Sequence, residues 1–502
     1  MTTTETATFE VGITDRAFAD RTPPLPIGAW HARDYIASLE DDREIWCDGR
    51  RVDVTSDPSF RPMLETLANL YERQHTPELA PFMLDTSAEC DAPVSVSYLA
   101  PTSREDLDRK WRNSHLWVEA AGGQLSRLPD FMANVVVGLY DYRDVLSTVD
   151  PRFGENAENY YRYCRDHDIA LTHGLGDPQI DRTASPVDRP ELGLRVVSRD
   201  DSGIVVRGAK QIATLAPYSH EVLIYLSPAN YLREDPSFVC WFAIPLSAPG
   251  LKTLCRKSLF DGGDGLGNRL DEQDAMLIFD DVFVPMSRVF LLDDATVAAR
   301  GFHELNKWSL YTGQIRFLYR MRSLLGAASL QARAIGVDKF REIAAALGEL
   351  TAYVEVIKMG LLAADAQSRT TQTGLLAPGP TAAMDALACD FSNRASAIIR
   401  QIGASGLVMQ PSEADLACDE LRPALETYMC GRDIGVDDKS RIFRLAADLV
   451  VDRFGMRQEL YETWNRGNPA LVRSMLYGKY SDLEYCEGLA RSLMGGRGNS
   501  DS

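Results

Sequence analysis

The stretch "LTHGLGDPQIDR" (171–182) marks the point where the periodicity of the chain changes. Before it, "SRLPDFMANVVVGLYDYRDVLSTV" (126–149) spaces apolar residues three and four apart, which predicts a helix that begins at the first-turn proline Pro129. After it, "LGLRVVSRDDSGIVVRGAKQIAT" (192–214) alternates in two runs around a turn at 201–203, which predicts a hairpin. The stretch itself holds a histidine, two glycines, a proline and an Asp-Arg pair, more turn and polar chemistry than a connector requires.

Outward from this junction, composition divides the chain into four parts. Residues 1–30 are rich in Thr, Asp and Pro and predict a flexible arm, and 31–168 predict an N-terminal helical domain. In 169–297, the runs "HEVLIYLS", "FVCWFAIPLS" and "DAMLIFDDVFVP" add short strands without intervening helices, which favours an antiparallel barrel or sandwich. Residues 298–502 hold four long helical stretches with short links, typical of a four-helix bundle. The predicted class is α+β.

Charge and composition exclude several functions. A net charge of −19 and a pI near 4.9 argue against a nucleic-acid partner. No apolar run approaches the roughly 20 residues that span a bilayer, so no membrane association is expected. The N-terminus lacks the features of a signal peptide, and the nine cysteines are scattered without close metal-ligand spacing. We expect a cytoplasmic protein with reduced thiols and no metal site.

Individual motifs leave alternatives open. "DGGDGLGN" (261–268) lacks the GxGxxG spacing and predicts a flexible hairpin loop. Arg127 is either a surface charge or a cation that faces an anion, because the dipole at a helix start disfavours cations. His173 is either structural or catalytic. Gly455 either marks a helix break or lets a ligand approach backbone N–H groups. GxSxG, HExxH and Walker motifs are absent from the sequence.

Several anchors in the same order carry a resemblance over most of the chain. They are "YIASLEDDREIWCDGRRVDVTSDPSF", "SRLPDF", "LTHGLGDPQIDR", "SGIVVRGAKQIAT", "NRLDEQDAMLIFDDVFVP" and "DRFGMRQELYE". With these the chain resembles the 4-hydroxyphenylacetate 3-monooxygenase family, the oxygenase components of two-component, reduced-flavin-dependent aromatic hydroxylases. The resemblance implies an acyl-CoA dehydrogenase-like fold: a helical domain, an antiparallel β-domain and a bundle that forms homotetramers or dimers.

The resemblance implies a flavin site from three segments. Gln179, Ile180, Asp181 and Arg182 match a segment beside the flavin, and Thr214 matches a threonine that bonds the isoalloxazine. His173 would face the flavin ring as well as the substrate. The C-terminal flavin segment corresponds to Asp452, Arg453, Phe454 and Gly455, where two positions depart from the usual Ser-acidic-Phe-Gly.

The resemblance also implies a substrate site made by an arginine, a tyrosine and a histidine around a phenol oxygen. Arg127 and His173 match, but Phe131 replaces the tyrosine. A lost donor to a charged group is worth about 1.5–3 kcal/mol. The loop before "NRLDEQDA" is also shorter than is typical of the family. Both departures predict a substrate other than 4-hydroxyphenylacetate, such as a larger aromatic intermediate of natural-product biosynthesis, free or carrier-tethered.

The implied activity is hydroxylation with FADH2 and O2 through a flavin C4a-hydroperoxide, with FADH2 supplied by a separate NAD(P)H:flavin reductase. Arg127 would hold the phenolate, and His173 would accept or relay the proton with a pKa near working pH. The rival classes are an acyl-CoA dehydrogenase, a heteroatom oxygenase, a 4-hydroxybutyryl-CoA dehydratase, for which the close cysteine pair is absent, and a non-catalytic relative.

Overall fold

Helices dominate the N-terminal part of the chain, as the apolar spacing predicts. The computed structural model describes residues 25–86, 92–181, 183–225, 229 and 231–494. The helices here are α1 (Ala32–Ser38), α2 (Arg61–Arg73), α3 (Ala80–Met83), α4 (Arg104–Ala120), α5 (Pro129–Asp141), α6 (Arg143–Ser147) and α7 (Pro151–Asp166). A capping box between Ser103 and Asp106 starts α4, and Pro129 occupies the first turn of α5, as predicted.

The predicted arm is only partly within the described residues. Residues 1–24 lie outside them, but residues 28–30 are anchored rather than loose. The backbone N–H of Gly28 donates to the carbonyl of Asp166 (2.7 Å), and the indole N–H of Trp30 donates to the carbonyl of Asp168 (2.6 Å). Residues 28–30 therefore do not belong to a flexible arm, since Trp30 is buried and Asp168 accepts from its indole N–H.

The N-terminal part also contains two short hairpins, which the prediction of a helical domain did not include. They are formed by β1 (Glu44–Cys47) with β2 (Arg50–Val52) and by β3 (Leu84–Thr86) with β4 (Pro93–Ser95). The first turns at Asp48 and Gly49, whose φ angles of 54° and 77° are those of a tight hairpin turn. The Asp-Gly pair was therefore a sequence signal for this hairpin.

The middle part forms two sheets. Its strands are β5 (Leu171–His173), β6 (Arg195–Arg199), β7 (Gly203–Thr214), β8 (Glu221–Ile224), β9 (Cys240–Pro245), β10 (Leu251–Cys255), β11 (Asp274–Pro285) and β12 (Val289–Leu292). The six-stranded sheet runs β2-β1-β10-β11-β7-β6, and the four-stranded sheet runs β12-β9-β8-β5. The hairpin of β6 and β7 and the strands β8, β9 and β11 confirm the predictions. The rings of Phe242 and Phe279 meet edge to face between the sheets, with centroids 6.0 Å apart.

Two strand pairs are parallel, unlike the wholly antiparallel domain that the pattern predicted. They are β1 with β10 and β5 with β8. In each pair, one strand comes from the N-terminal side of the chain and joins the edge of a sheet built by later strands. Long connections of this kind permit parallel pairing, whereas the short hairpins inside the domain enforce antiparallel pairing.

The glycine-rich segment 261–268 is not an open hairpin loop. Oδ1 of Asn268 accepts hydrogen bonds from the backbone N–H groups of Asp261 (3.0 Å) and Gly262 (3.1 Å). The segment then enters a short helix, α9 (Leu266–Arg269), which follows α8 (Tyr231–Glu234) in the β-domain. The prediction of a flexible hairpin is wrong here, because the Asn268 amide satisfies the turn internally.

The C-terminal part is helical, and four of its helices match the predicted bundle. These are α11 (Lys307–Ala334), α12 (Arg341–Ala366), α13 (Ala382–Gly403) and α16 (Val436–Val450). The remaining elements are α10 (Ala295–Leu305), α14 (Glu413–Leu416), α15 (Arg422–Tyr428), α17 (Arg453–Trp464), α18 (Pro469–Gly478), α19 (Leu483–Leu493), β13 (Arg369–Thr370) and β14 (Leu376–Ala377). The central helix α11 packs against α12, α13 and α16, and its other side meets α5. Among the helices of the described residues, none has the length and apolar character needed to cross a bilayer.

We expect Gly138→Ala to lower the stability by about 2 kcal/mol, because a Cβ there would lie 2.2 Å from the carbonyl oxygen of Leu305, a backbone atom. Thermal unfolding at fixed concentration and scan rate measures the effect. The control is Gly326→Ala on α11, where a Cβ meets nothing within 4 Å. This substitution should raise the free energy of unfolding by about 0.5–1 kcal/mol. Equal midpoints for the two variants would contradict the tight contact between α5 and the end of α10.

Candidate active site

The guanidinium of Arg127 is the centre of a cluster that includes the three predicted substrate-site residues. Its Nε donates to Nε2 of His173 at 3.2 Å. The guanidinium carbon lies 4.2 Å from the centre of the Phe131 ring. Its Nη1 donates to the hydroxyl of Tyr461 on α17, a residue that sequence reasoning did not select. The N-terminal loop, the β-domain and the bundle each contribute to this cluster.

His173 is neutral and carries its proton on Nδ1. A guanidinium N–H can only donate, so Nε2 of His173 must accept. Nδ1 lies 3.2 Å from the hydroxyl oxygen of Tyr225, whose own proton is donated to Oδ1 of Asn306 at 3.2 Å. Nδ1–H therefore donates to Tyr225, and the lone pair of Nε2 faces the Arg127 cluster.

The environment of His173 lowers its pKa well below the usual value of 6.5. Burial is the larger cause, since His173 lies at the end of β5 with 6% of its surface exposed. The positive charge of Arg127 is the second cause. The expectation of a pKa near working pH is thus wrong for the protein without substrate, where His173 is a neutral acceptor.

A small cavity lies beside Phe131. The residues that line it are Val118, Leu125, Ser126, Leu128, Asp130, Phe131, Thr312, Gly313 and Arg316. The Phe131 ring also meets the His173 ring edge to face, with centroids 6.0 Å apart. Gly313 adds no side chain, and a Cβ built there would meet nothing within 4 Å. The wall next to Phe131 is therefore not filled at Gly313, although the cavity itself is only about the size of one water molecule.

A buried carboxylate, Glu272, fixes the loop that presents Arg127. Its Oε1 accepts from the backbone N–H groups of Ser126 (2.5 Å) and Arg127 (2.8 Å). Its Oε2 accepts from the Ser126 hydroxyl (2.8 Å) and from Nη1 of Arg457 on α17 (2.8 Å). Glu272 is 1% exposed, so these bonds form in a low-dielectric interior where they are strong. Glu272 lies in the anchor "NRLDEQDA", but nothing in its spacing pointed to this role.

Thr214 is connected to the same group of charges. Its hydroxyl donates to Oδ1 of Asp274 at 2.8 Å, and Asp274 receives two further hydrogen bonds from Arg457. Burial alone would raise the pKa of Asp274, but the charges and hydrogen bonds of Arg457 and Arg256 outweigh it and lower the pKa to about 2. Asp274 is therefore ionised, and the oxygen of Thr214 keeps its lone pairs for a ligand.

The turn of the opening stretch is tied to β7 and α8 through Asp177. Nζ of the buried Lys210 donates to Oδ1 of Asp177 at 2.6 Å, and the Tyr231 hydroxyl donates to Oδ2. Gly176 and Gln211 exchange backbone hydrogen bonds of 2.7 and 2.8 Å. These contacts explain the density of turn and polar residues after His173.

The predicted flavin segment that follows this turn is exposed. Gln179, Ile180 and Asp181 lie on the surface, and Oδ1 of Asp181 accepts from the backbone N–H and the hydroxyl of Thr183. Arg182 lies outside the described residues. The hydrogen bonds and ion pairs of the described residues do not join this segment to the Arg127 cluster, so its role beside a flavin remains a prediction.

The start of α17 has donors that suit an anionic cofactor. Asp452 is the N-cap residue, but its side chain makes no capping hydrogen bond. Within the described residues, no acceptor is found for the backbone N–H groups of Arg453, Phe454 and Gly455. Gly455 must lack a side chain, since a Cβ would lie 2.5 Å from the carbonyl of Leu449. Three N–H groups at a helix start are an arrangement that binds anions in general, but the carboxylates of Asp448 and Asp452 lie at the same place, so the predicted cofactor role of this segment stays a prediction.

Comparisons with known proteins agree with this architecture. The profile described as 4-hydroxyphenylacetate 3-hydroxylase N terminal matches residues 31–291, and the C-terminal profile matches residues 298–495. A 4-hydroxyphenylacetate 3-monooxygenase oxygenase component from Thermus thermophilus is 34% identical over 468 residues, which cover 90% of this chain and 95% of the relative.

A solved structure of a 4-hydroxyphenylacetate 3-monooxygenase oxygenase component complexed with FAD matches with a TM-score of 0.87 and 32% identity, over 93% of this chain and 98% of that one. A more distant relative from Streptomyces globisporus is 28% identical, over 87% of this chain and 84% of its own length. It is named as the monooxygenase of a 3-amino-3-(3-chloro-4-hydroxyphenyl)propanoyl group on a peptidyl-carrier protein.

Fold and site together define an oxygenase component of the flavin-dependent monooxygenases, on an acyl-CoA dehydrogenase-like fold. The chain belongs to the 4-hydroxyphenylacetate 3-hydroxylase family. The predicted family, fold class and enzyme class are thereby confirmed. The matches do not favour the dehydrogenase, dehydratase, heteroatom-oxygenase or non-catalytic alternatives.

We expect Arg127→Met to raise the pKa of His173, because the charge and the N–H donor of Arg127 both favour the neutral imidazole. Burial remains, so the pKa should still lie below 6.5. NMR titration of ¹³C-labelled histidine in the full-length protein measures it, with the His173 signal assigned by its loss in His173→Gln. Arg207→Met, which breaks an exposed pair with Asp281, is the control and should leave the titration unchanged. A fall in the His173 pKa in Arg127→Met would contradict the electrostatic assignment.

Proposed function

We propose that this protein hydroxylates a phenolic ring larger than 4-hydroxyphenylacetate, with reduced FAD from a separate NAD(P)H:flavin reductase and with O2. The observation that carries the proposal is the contact between the Arg127 guanidinium and the neutral His173, beside the aromatic wall of Phe131. A cation and a neutral base side by side suit a phenol, which the base deprotonates and the cation then holds as phenolate. Ionisation makes the ring electron-rich at its ortho positions, as oxygen transfer requires.

In this proposal Nε2 of His173 takes the phenol proton. The phenol competes with Nε of Arg127 for that lone pair, and the guanidinium turns its donors to the phenolate oxygen. The phenolate charge then offsets the Arg127 charge, which raises the proton affinity of His173 when it is needed. On the far side of the ring, Nδ1–H stays bonded to the hydroxyl of Tyr225, which in turn donates to Asn306, and this chain orients the imidazolium.

The residues proposed to hold FAD are Thr214, the α17 start from Asp452 to Gly455, and the segment from Gln179 to Arg182. When bound and reduced, FAD supplies the activation of O2 for transfer of one oxygen atom. The protein's task is to orient the ring and to exclude water. Burial of His173 and Glu272 beside the site supports a dry reaction chamber.

Three features support a larger substrate. Phe131 removes a hydroxyl from the wall, Gly313 leaves the neighbouring wall open, and the loop before "NRLDEQDA" is short. The carrier-protein substrate named for the Streptomyces globisporus relative shows that such substrates occur among the relatives of this chain. We therefore include a carrier-tethered phenol among the candidate substrates.

We also propose that the chain acts as a cytoplasmic homotetramer assembled through its bundle. Large apolar side chains are exposed on α12 and α13, among them Met359, Leu362 and Leu387. None of the described residues of α18 and α19 is buried within the chain. Faces of this kind are typical of subunit interfaces. Sedimentation equilibrium should give the mass of four chains. The mass of a dimer would contradict the tetramer and leave a single interface between two chains.

We expect Arg127→Ala and His173→Ala each to lower hydroxylation at least about tenfold and to raise the fraction of reduced flavin lost as H2O2, since each removes a group that ionises or holds the phenol. The assay couples the protein to a generic flavin reductase and NADH. It measures the +16 product and peroxide together. The controls are Arg207→Ala, at an exposed arginine, and His167→Ala, at a half-buried histidine that follows α7. Wild-type coupling in both site variants would refute these roles.

A panel of phenols tests the substrate class in the same assay. We expect higher kcat/KM for extended phenols, free or carrier-bound, than for 4-hydroxyphenylacetate, because Phe131 and the shorter loop remove contacts suited to a small phenol. Turnover of 4-hydroxyphenylacetate as efficient as that of every larger phenol would contradict this part of the proposal.

Filling the wall beside Phe131 should change the size preference. We expect Gly313→Leu to lower kcat/KM for extended phenols about tenfold more than for unsubstituted phenol, because the new side chain occupies the space beside Phe131. Gly326→Leu on the same helix, away from the cavity, is the control. An equal loss for large and small phenols in Gly313→Leu would mean that the cavity does not receive the substrate.

A further inference from the structure

Tyr461 lies where the bundle reaches the active site. It belongs to α17, and its hydroxyl accepts a hydrogen bond from Nη1 of Arg127. The next residue, Glu462, is buried and makes two hydrogen bonds with Arg316, of 2.7 and 2.9 Å, so this part of α17 is held rigidly. Tyr461 is therefore a fixed hydroxyl at the edge of the proposed phenolate site.

Two of the three guanidinium nitrogens of Arg127 have hydrogen-bond partners within the described residues, and the third is Nη2. Nε donates to His173, and Nη1 donates to the hydroxyl of Tyr461 and to the carbonyl of Ser126 (3.2 Å). In a planar guanidinium, Nη2 belongs to both of the forks that bind two oxygens side by side. No partner for Nη2 is found within the described residues. An anionic oxygen that binds Nη2 would have His173 on one side and Tyr461 on the other.

The Tyr461 hydroxyl has a proton to give to such an oxygen. It accepts from Arg127, and within the described part of the chain no acceptor is found for its own proton. The guanidinium carbons of Arg127, Arg316 and Arg457 lie 5.2 to 5.6 Å from the centre of the Tyr461 ring. Arg316 and Arg457 are already paired with buried carboxylates, whereas no carboxylate partner for the Arg127 guanidinium is found within the described residues. The charge of Arg127 therefore favours an anion next to the hydroxyl.

We propose that Tyr461 donates a hydrogen bond to the substrate's phenolate oxygen and so supplies the hydroxyl that Phe131 lacks. The inference rests on the proposed function and names one more residue of the same site. The donor comes from the bundle instead of from α5. The wall at Phe131 is thereby free to be apolar without loss of the hydrogen bond to the oxygen.

The test measures binding of 4-nitrophenol to the full-length protein with anaerobically reduced FAD, where no turnover occurs and the nitrophenolate band is visible above a weak flavin background. We expect Tyr461→Phe to weaken nitrophenolate binding about tenfold, as loss of a donor to a charged oxygen implies. Binding of the protonated phenol at low pH should weaken less. The pKa of the bound phenol should accordingly be higher in Tyr461→Phe than in the wild type.

Restoring the hydroxyl elsewhere separates hydrogen bonding from structure. In the double variant Phe131→Tyr with Tyr461→Phe, we expect most of the lost phenolate affinity to return. Tyr477→Phe, at an exposed tyrosine of α18, is the matched control and should bind like the wild type. Thermal unfolding and FAD titration of each variant confirm that fold and cofactor binding persist.

Two results would overturn the inference while leaving the proposed function intact. One is wild-type phenolate affinity and bound pKa in Tyr461→Phe. The other is an equal loss for phenol and phenolate without rescue by Phe131→Tyr, which indicates a structural role. If the wild-type protein itself does not bind nitrophenolate more tightly than the phenol, the proposed function fails first and the inference falls with it.

Discussion

The active site depends on the hydrogen bonds that the buried carboxylate of Glu272 accepts. One buried carboxylate accepts four hydrogen bonds: from the N-terminal loop at Ser126 and Arg127 and from Arg457 of the bundle. Glu272 itself lies just before β11 in the β-domain. A buried charge is stable only when it is paired and hydrogen-bonded, so three parts of the chain must meet correctly or the carboxylate is left uncompensated. The position of Arg127 follows from this requirement.

Neighbouring buried charges extend the same constraint along α17. Burial alone would raise the pKa of Glu462, but the charges of Arg316, Arg320 and Arg466 outweigh it and lower the pKa to about 2. Buried ion pairs add little net stability compared with apolar packing, yet breaking one is costly because a lone charge remains. The effect of these ion pairs is to hold α17 in one position. In that position Arg457 donates hydrogen bonds to Glu272 and Asp274, and Tyr461 accepts one from Arg127.

Local pattern predicted most of the architecture, because periods of 3.6 and 2 are properties of short segments. The long helices of the bundle and the β6–β7 hairpin followed from it. The parallel pairing of β1 with β10 did not, since these strands are far apart in sequence and meet only in the folded chain. The same distinction applies to the site. Arg127, Phe131 and His173 came from matched motifs, whereas Glu272 and Tyr461 are defined by contacts across 145 and 334 residues of sequence. No short pattern encodes such contacts.

The low pKa of His173 and the replacement at Phe131 become consistent when the site is considered as one charge system. Without a ligand, Arg127 supplies a positive charge, so His173 must stay neutral and no proton is stored in the apolar interior. In the proposed reaction, a phenol would bring both the proton and the compensating negative charge, so transfer to Nε2 would create an ion pair balanced by Arg127 rather than an isolated charge. A donor would then be needed only near the oxygen, and either wall could provide it. On this proposal the Phe131 wall is free to vary with the substrate while the Arg127–His173 pair stays the same.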